Sequence, residues 1–249
     1  MKKSPVAAPV EASKRTPPRV TRRVLRDDVH DAILELLLDG SVAPGDAVGI
    51  DSLARQLGVS PTPVREAMVQ LEHTGLVTRT ALKGYRAAAP LSADRMAELV
   101  DARLVIELAA VEGAVPMAPA AVTELKAAHT DHVLAADGVK GVTDRGDGPT
   151  WSDLRRYYAA DWAFHRVILS NCGNHYLLQL ADSLSPQVHR LRQSVGHGLT
   201  DVDQAVAEHA VILQAIDSGD RTAAEKAMRD HLLGVRRRSL ADVDPADDA

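Results

Sequence analysis

The sequence predicts a mainly α protein in two parts: a small helical unit carrying a β-hairpin, then an antiparallel all-α bundle of six to seven helices. Three observations predict it. Aromatics make up only 3% of a chain that is 45% hydrophobic, so its cores are built from Leu, Val, Ala and Ile, which suits packed helices. From residue 91 onward every convincing segment repeats its apolar residues at helical spacing, and strand-like runs are confined to the first part. Charge divides at the same place: residues 1–90 hold 13 Lys+Arg against 10 Asp+Glu, while residues 91–249 hold 16 against 24. The overall net charge of −5 therefore hides a basic first part and an acidic second part.

Residues 1–20 (MKKSPVAAPVEASKRTPPRV) are polar, proline-rich and without period, the composition of a disordered arm. Residues 21–89 form the first folded unit. Val24, Leu25, Val29, Ile33, Leu36 and Leu37 recur at helical spacing over 22–39. Arg22, Arg23 and Arg26 gather at the start of that helix, where they would meet a phosphate backbone. Gly40 follows, Pro44-Gly45 turns the chain, and Ala47–Ile50 makes a short edge segment.

In Asp51–Leu57, Leu53, Ala54 and Leu57 share one helical face, with Asp51 or Ser52 as N-cap. Gly58 stops this helix, because glycine takes the left-handed conformation that helix ends often need. Val59 is a lone apolar plug. Ser60 is the next cap, and Pro61 and Pro63 fall in a first turn, where a missing N–H costs little. Val64, Ala67, Met68 and Leu71 then form the stripe of a second helix. Two helices joined by so short a turn make a helix-turn-helix. Ser60, Thr62, Arg65 and Gln70 lie off the stripe, most of them at the end that would enter a major groove, where arginine pairs with guanine O6 and N7. The plain alternative is a solvated face. Leu76–Thr80 reads as a strand, Ala81–Gly84 as a basic turn and Tyr85–Ala87 as a returning strand. A hairpin directly after a recognition helix is a wing, with Lys83 and the glycine amide placed near phosphate.

Taken together, PGD (Pro44-Gly45-Asp46), DSLARQLGVSPTPVREA, LEHTGLV and KGY resemble the winged helix-turn-helix of GntR-family transcription regulators. The resemblance covers roughly residues 22–88 and is specific in order and spacing. It implies DNA contacts at Ser60, Thr62, Arg65 and Gly84. Two departures bear on base reading. Members often carry arginine where this chain has Pro61, and some carry a basic residue near Asp51, so recognition here is expected to lean on Arg65 and Arg55.

Pro90 marks the boundary, and residues 90–240 form the second unit. Ser92 caps a helix carrying Met96, Leu99, Val100, Leu104, Ile106 and Leu108 through Ala114, which Pro116 stops. A second helix spans 119–136 with Val122, Leu125, Ala128 and Val133 inward. Gly138 to Pro149 is a polar, glycine-rich loop. Further helices cover about 151–171, 174–194 with a bend at Pro186, 201–217 and 221–239. Residues 241–249 are an acidic tail. The single cysteine, Cys172, excludes an internal disulfide and fits a reducing cytoplasm. No apolar run is long enough for a membrane span, and no signal-peptide pattern follows the first basic residues.

Ten histidines are many for this length, and three obey a geometry. Asp161 and His165 are four apart on one predicted helix and share a face. His209 lies eleven residues before Asp220 and His231 eleven after it, in two helices joined by Ser218-Gly219-Asp220. In an antiparallel hairpin, equal distances from the turn mean equal height. If the 151–171 helix packs against that hairpin, one carboxylate and three imidazoles meet. Such a set suits zinc, with nickel or manganese as alternatives. The alternative is a set of satisfied core histidines. His129, His132, His175, His189 and His197 take surface or supporting positions by default.

The segments DWAFH, SNCGNHYL, AEHAVILQAIDSGD and AEKAMRDHL resemble the helical FCD-type effector domain of the FadR branch of the GntR family. That resemblance implies metal ligation by Asp161, His165, His209 and His231. It also implies an effector site using Arg103, with Glu107 in the same R-x-x-x-E helix, and Asn174, around a small carboxylate. The plain reading of Arg103 is an i,i+4 pair with Glu107.

The expected function is a cytoplasmic, homodimeric, metabolite-responsive transcription regulator of repressor type. It would bind a palindromic operator, take no membrane partner and perform no catalysis. One alternative is a sensor for which the ion itself is the signal. A remote one is a metalloenzyme fused to a DNA-binding module, for which Glu208, adjacent to His209, is the base to consider.

Overall fold

A computed structural model describes residues 22–38, 41–81, 83–89, 91–143, 149, 151–194 and 202–241. The arm 1–20, the side chains of Arg22, Arg23, Arg26 and His189, His197, and the tail beyond Ala241 lie outside the described residues. The chain is mainly α, with a three-stranded antiparallel sheet in its first part and a helical second part.

The first part begins with α1 (Arg22–Leu38), then β1 (Ala47–Val48), α2 (Ile50–Leu57), α3 (Pro61–His73), β2 (Val77–Thr80) and β3 (Gly84–Ala87). Val29 and Ile33 of α1 meet Leu53 and Ala54 of α2 and Val64, Ala67, Met68 and Leu71 of α3 in one core. Full burial of an aliphatic side chain of this size contributes about 1.5–3 kcal/mol. Gly58 ends α2 with φ +66°, and the Val59 N–H bonds back to the Ala54 carbonyl, seating Val59 against the core. Two capping expectations are corrected. α2 starts at Ile50 behind Gly49, so Asp51 and Ser52 lie inside the helix. Ser60 begins α3 by its extended backbone, without a side-chain cap. Pro63 stands three residues on, where the N–H that a serine caps would be, and proline has none.

β2 and β3 form the wing, with Thr78 opposite Arg86 and Thr80 opposite Gly84. β1 pairs with the other edge of β3, giving the order β1-β3-β2.

The second part contains α4 (Ala93–Ala114), α5 (Pro119–Thr143), α6 (Trp151–Ser170), α7 (His175–Ser194), α8 (Val202–Asp217) and α9 (Arg221–Ala241). α5 packs on α6 and α8, α4 on α9, α7 and α6, and α8 on α9. Their core is mainly Leu, Val, Ile and Ala, joined by Phe164, Met96, Met228 and Cys172. Ser92 caps α4 by accepting the Arg95 N–H. Inside α4, Leu104, Ile106 and Leu108 are only half-buried, and Arg103 and Glu107 take places on the buried stripe. α7 continues as one helix past residue 186.

The first half of the loop expected over 138–149 is helix, and residues 144–148 lie outside the described residues. α5 runs through Gly138 to Thr143 because Ala135, Ala136 and Val139 pack against Tyr157, Tyr158 and Val202. Burial of that satellite cluster outweighs a glycine's helix penalty of about 1 kcal/mol. Among the described residues no helix is long and apolar enough to cross a membrane.

Candidate functional site

Three helices bring charged or polar side chains into one buried cluster. α6 supplies Asp161 and His165, four residues apart and 2% and 1% exposed. α8 supplies His209 and α9 supplies His231, both fully buried. The α8–α9 turn explains their meeting. Gly219 takes φ +73°, Asp220 accepts the Ala223 N–H to start α9, and the two imidazoles end at the same height with ring centres 4.7 Å apart. His165 lies 5.2 Å from His231 and 4.9 Å from His209, ring centre to ring centre.

The ring orientations define which atoms face inward. His231 Nδ1 donates to Glu208 Oε2 at 2.7 Å. His165 Nδ1 stands 2.7 Å from Glu107 Oε2, off the line of a straight hydrogen bond. A carboxylate only accepts, so His231 carries hydrogen on Nδ1 and turns a bare Nε2 inward. His165 Nε2 and His209 Nε2 are 3.1 Å apart, and Asp161 Oδ1 is 3.7 Å from His209 Nε2. Nitrogens that share an ion about 2.0–2.1 Å away stand about 2.9–3.4 Å apart, so this spacing fits a common ion. His231 Nε2 is buried with no hydrogen-bond partner among the described residues, as a ligand atom awaiting a cation would be.

Electrostatics favour lone pairs here. Burial first, then the neighbouring His231 and His165, push the His209 pKa well below the ordinary 6.5, against a smaller opposing effect of Asp161. Burial also lowers His231, against the hydrogen bond to Glu208. Neutral imidazole is the form that ligates.

Pattern reading missed one member of the cluster. His132 on α5, expected at a surface or supporting place, is fully buried. Its Nδ1 lies 3.0 Å from His209 Nδ1, and its Nε2 lies 3.8 Å from Asp161 Oδ1. The signal was its seven-residue spacing from Leu125 and Val139 on the buried stripe of α5. Reading Val133 as inward shifted that stripe by one residue; Val133 is half-buried. His129 is half-buried with Nε2 near the Val206 carbonyl, and His175 is exposed.

Beside the cluster, Arg103 and Glu107 are both 2% exposed. Arg103 Nε donates to Glu107 Oε1 at 2.6 Å, while Nη1 and Nη2 are buried with no partner among the described residues. Burial pushes the Glu107 pKa up, but the charges of Arg103 and His165 and their hydrogen bonds outweigh it and hold it at about 2. Arg103, Glu107, Ile106, Trp162, Ala181 and Leu184 line a cleft too tight in this conformation to admit a water molecule. Asn174 is not among its lining residues. It is exposed and caps α7, its Oδ1 accepting the N–H groups of Tyr176 and Leu177.

In the first part, Arg55, Ser60, Thr62, Arg65, Lys83 and Gly84 are all exposed. Ser60, Thr62 and Arg65 lie at the start of α3, and Lys83 sits at the wing tip with its N–H bonded to the Thr80 carbonyl.

A winged helix-turn-helix followed by a helical domain is the architecture of a DNA-binding transcription regulator. Residues 98–234 match the FCD domain model, and residues 25–86 match that of the bacterial regulatory proteins of the gntR family. The chain belongs to the GntR family of regulators with an FCD domain. It is similar to the Paenarthrobacter nicotinovorans "Probable D-xylose utilization operon transcriptional repressor", 28% identical and covering 93% of this chain and 97% of the relative. It is also 29% identical to the Escherichia coli transcriptional repressor GlaR, over 79% of this chain and 87% of that one. The solved structure of E. coli McbR/YncC shares the fold, with TM-score 0.65 at 17% identity over 84% of this chain and 94% of that one. Both relatives are named as transcriptional repressors, the first as a probable one.

Proposed function

We propose that this protein is a homodimeric repressor whose helical domain holds a divalent transition metal ion and a small carboxylate effector, and that their occupancy sets operator affinity. Asp161, His165, His209 and His231 would hold the ion, zinc first, with nickel or manganese as alternatives. The ion would act as a Lewis acid toward a carboxylate. The observation that carries the reading is one buried cluster in which ligand atoms of His165, His209 and His231 lie within 4.8 Å of one another and Asp161 Oδ1 lies 3.7 Å from His209 Nε2, beside an arginine fork with no partner among the described residues. Arg103 Nη1 and Nη2 have the geometry for bidentate carboxylate recognition.

The cleft beside Arg103 is too tight for a water molecule, so a guest would have to shift its lining, to which α4, α6 and α7 all contribute. That gives the effector a preference between two bundle conformations, which is what coupling to DNA requires. Ser60, Thr62, Arg65 and Arg55 would read a palindromic operator, with Lys83 and Gly84 positioning the wing on phosphate. Glu208, the base considered for an enzymatic role, has both oxygens engaged by His231 and Arg238.

The test is operator binding by metal-stripped protein titrated first with zinc and then with zinc plus citrate as a carboxylate probe. A change that needs citrate supports an effector; a change complete with zinc alone makes the ion the signal. His209→Ala with His231→Ala should abolish metal retention. One equivalent of zinc still held by that double variant overturns the ligand set.

A further inference from the structure

The contact behind His231 reaches beyond the ligand set, and the role it suggests rests on the metal site proposed above. Glu208 of α8 accepts the His231 Nδ1 proton with Oε2 at 2.7 Å. Glu208 is itself gripped by a fork: Arg238 Nη1 donates to Oε1 at 2.9 Å and Nη2 to Oε2 at 3.1 Å. Two-pronged bonds of this kind fix direction as well as distance.

Gly234 makes room for the fork. It lies on α9 between His231 and Arg238, one turn from each. A Cβ there would stand 2.8 Å from Arg238 Nη1 and 3.0 Å from Glu208 Oε1. Glycine in a helix interior costs about 1 kcal/mol against alanine. The space that glycine leaves holds the Glu208–Arg238 pair.

The chain of contacts runs from the interior to the rim. The His231 side chain is 0% exposed, that of Glu208 21% and that of Arg238 19%. We propose that Glu208, braced by Arg238 and admitted by Gly234, is a positioning residue that fixes the ring orientation and tautomer of His231 for metal ligation. Ion affinity is then set partly by residues that never touch the ion, as carboxylates behind ligating imidazoles do elsewhere.

Cobalt(II) is the probe, because its visible bands report ligand geometry. Full-length stripped protein is titrated with cobalt(II), affinity is read by chelator competition, and thermal midpoints of the stripped forms are recorded. Glu208→Ala should weaken cobalt binding about 10–100-fold and change the bands. Glu208→Gln should recover part of that loss, since its amide oxygen still accepts from Nδ1. Gly234→Ala is the sharper arm. The clashing atoms are the far ends of flexible side chains, so the fork yields while the helix gains an alanine. Its stripped midpoint should hold or rise while cobalt affinity falls. Wild-type affinity and bands in both Glu208→Ala and Gly234→Ala overturn the positioning role and leave the metal site standing. No cobalt uptake by the wild-type protein overturns both.

Discussion

Arg103 donates to Glu107 across 2.6 Å inside the bundle, and the other oxygen of the same carboxylate lies 2.7 Å from His165. An exposed pair at this spacing contributes a few tenths of a kcal/mol. Here both partners are buried, and removing one leaves a charge uncompensated, at a cost of about 3–5 kcal/mol. Glu107→Ala should lower the unfolding free energy of the stripped protein by that amount in urea titrations. A loss under about 1 kcal/mol would mean that water reaches Arg103 once the carboxylate is gone.

His132 stands behind His209 much as a carboxylate stands behind His231. His132→Ala should lower zinc affinity about tenfold or more, while His129→Ala, on the same helix, leaves it unchanged. Chelator competition on the two variants decides this; equal affinities would remove His132 from the site.

Stripped protein should lose stability in acid in two stages. His209 and His231 have folded pKa values below 6.5, so the unfolded chain takes up protons first as pH falls through 6.5. Stability rises with pH wherever the unfolded state binds more protons, so it declines below about pH 6.5. Glu107 has the same sign: its contribution is whole above 4.5 and is lost as pH falls toward about 2. Urea midpoints from about pH 4 to 8 give the measurement. A flat line between about pH 5 and 7 would show that the two histidines are not held neutral.

Arg65 is exposed near the start of α3, within reach of a groove entered by that end. Arg65→Ala should weaken operator binding by about 1–3 kcal/mol and relax preference at one base pair. Fluorescence anisotropy against single-base operator variants reads both. Lost affinity with undiminished preference would make Arg65 a phosphate contact.

Local chemistry made much of this legible. The turn at Gly58, the stripe from Val64 to Leu71 and the hairpin beyond it are governed by near neighbours, and they fold as their residues indicate. Equal spacing of His209 and His231 about Asp220 sufficed to bring them to one height, because an antiparallel hairpin leaves little freedom. What escaped depends on distant packing. The end of α5 is helical because Tyr157, Tyr158 and Val202 cover it, and nothing within 138–143 announces that. His132 escapes because a single wrong step in the α5 register exchanges an inward residue for its neighbour. Ser60 is uncapped because Pro63 takes the donor away, a competition between two rules that each hold on their own.

The short strand β1 carries a mechanical consequence. The Gly45 N–H bonds to the Ala87 carbonyl, the Ala87 N–H to the Asp46 carbonyl, and Arg86 reaches the Gly45 carbonyl at 2.7 Å. The wing is thereby stitched at its root to the chain ahead of α2, and its ladder runs on to the Thr80–Gly84 pair. An edge held this way meets a duplex already shaped, so little ordering entropy remains to be surrendered at the moment of contact. Fine adjustment to different sequences is then left to the tip beyond that last pair, and a loosened root would blunt discrimination before it blunted grip.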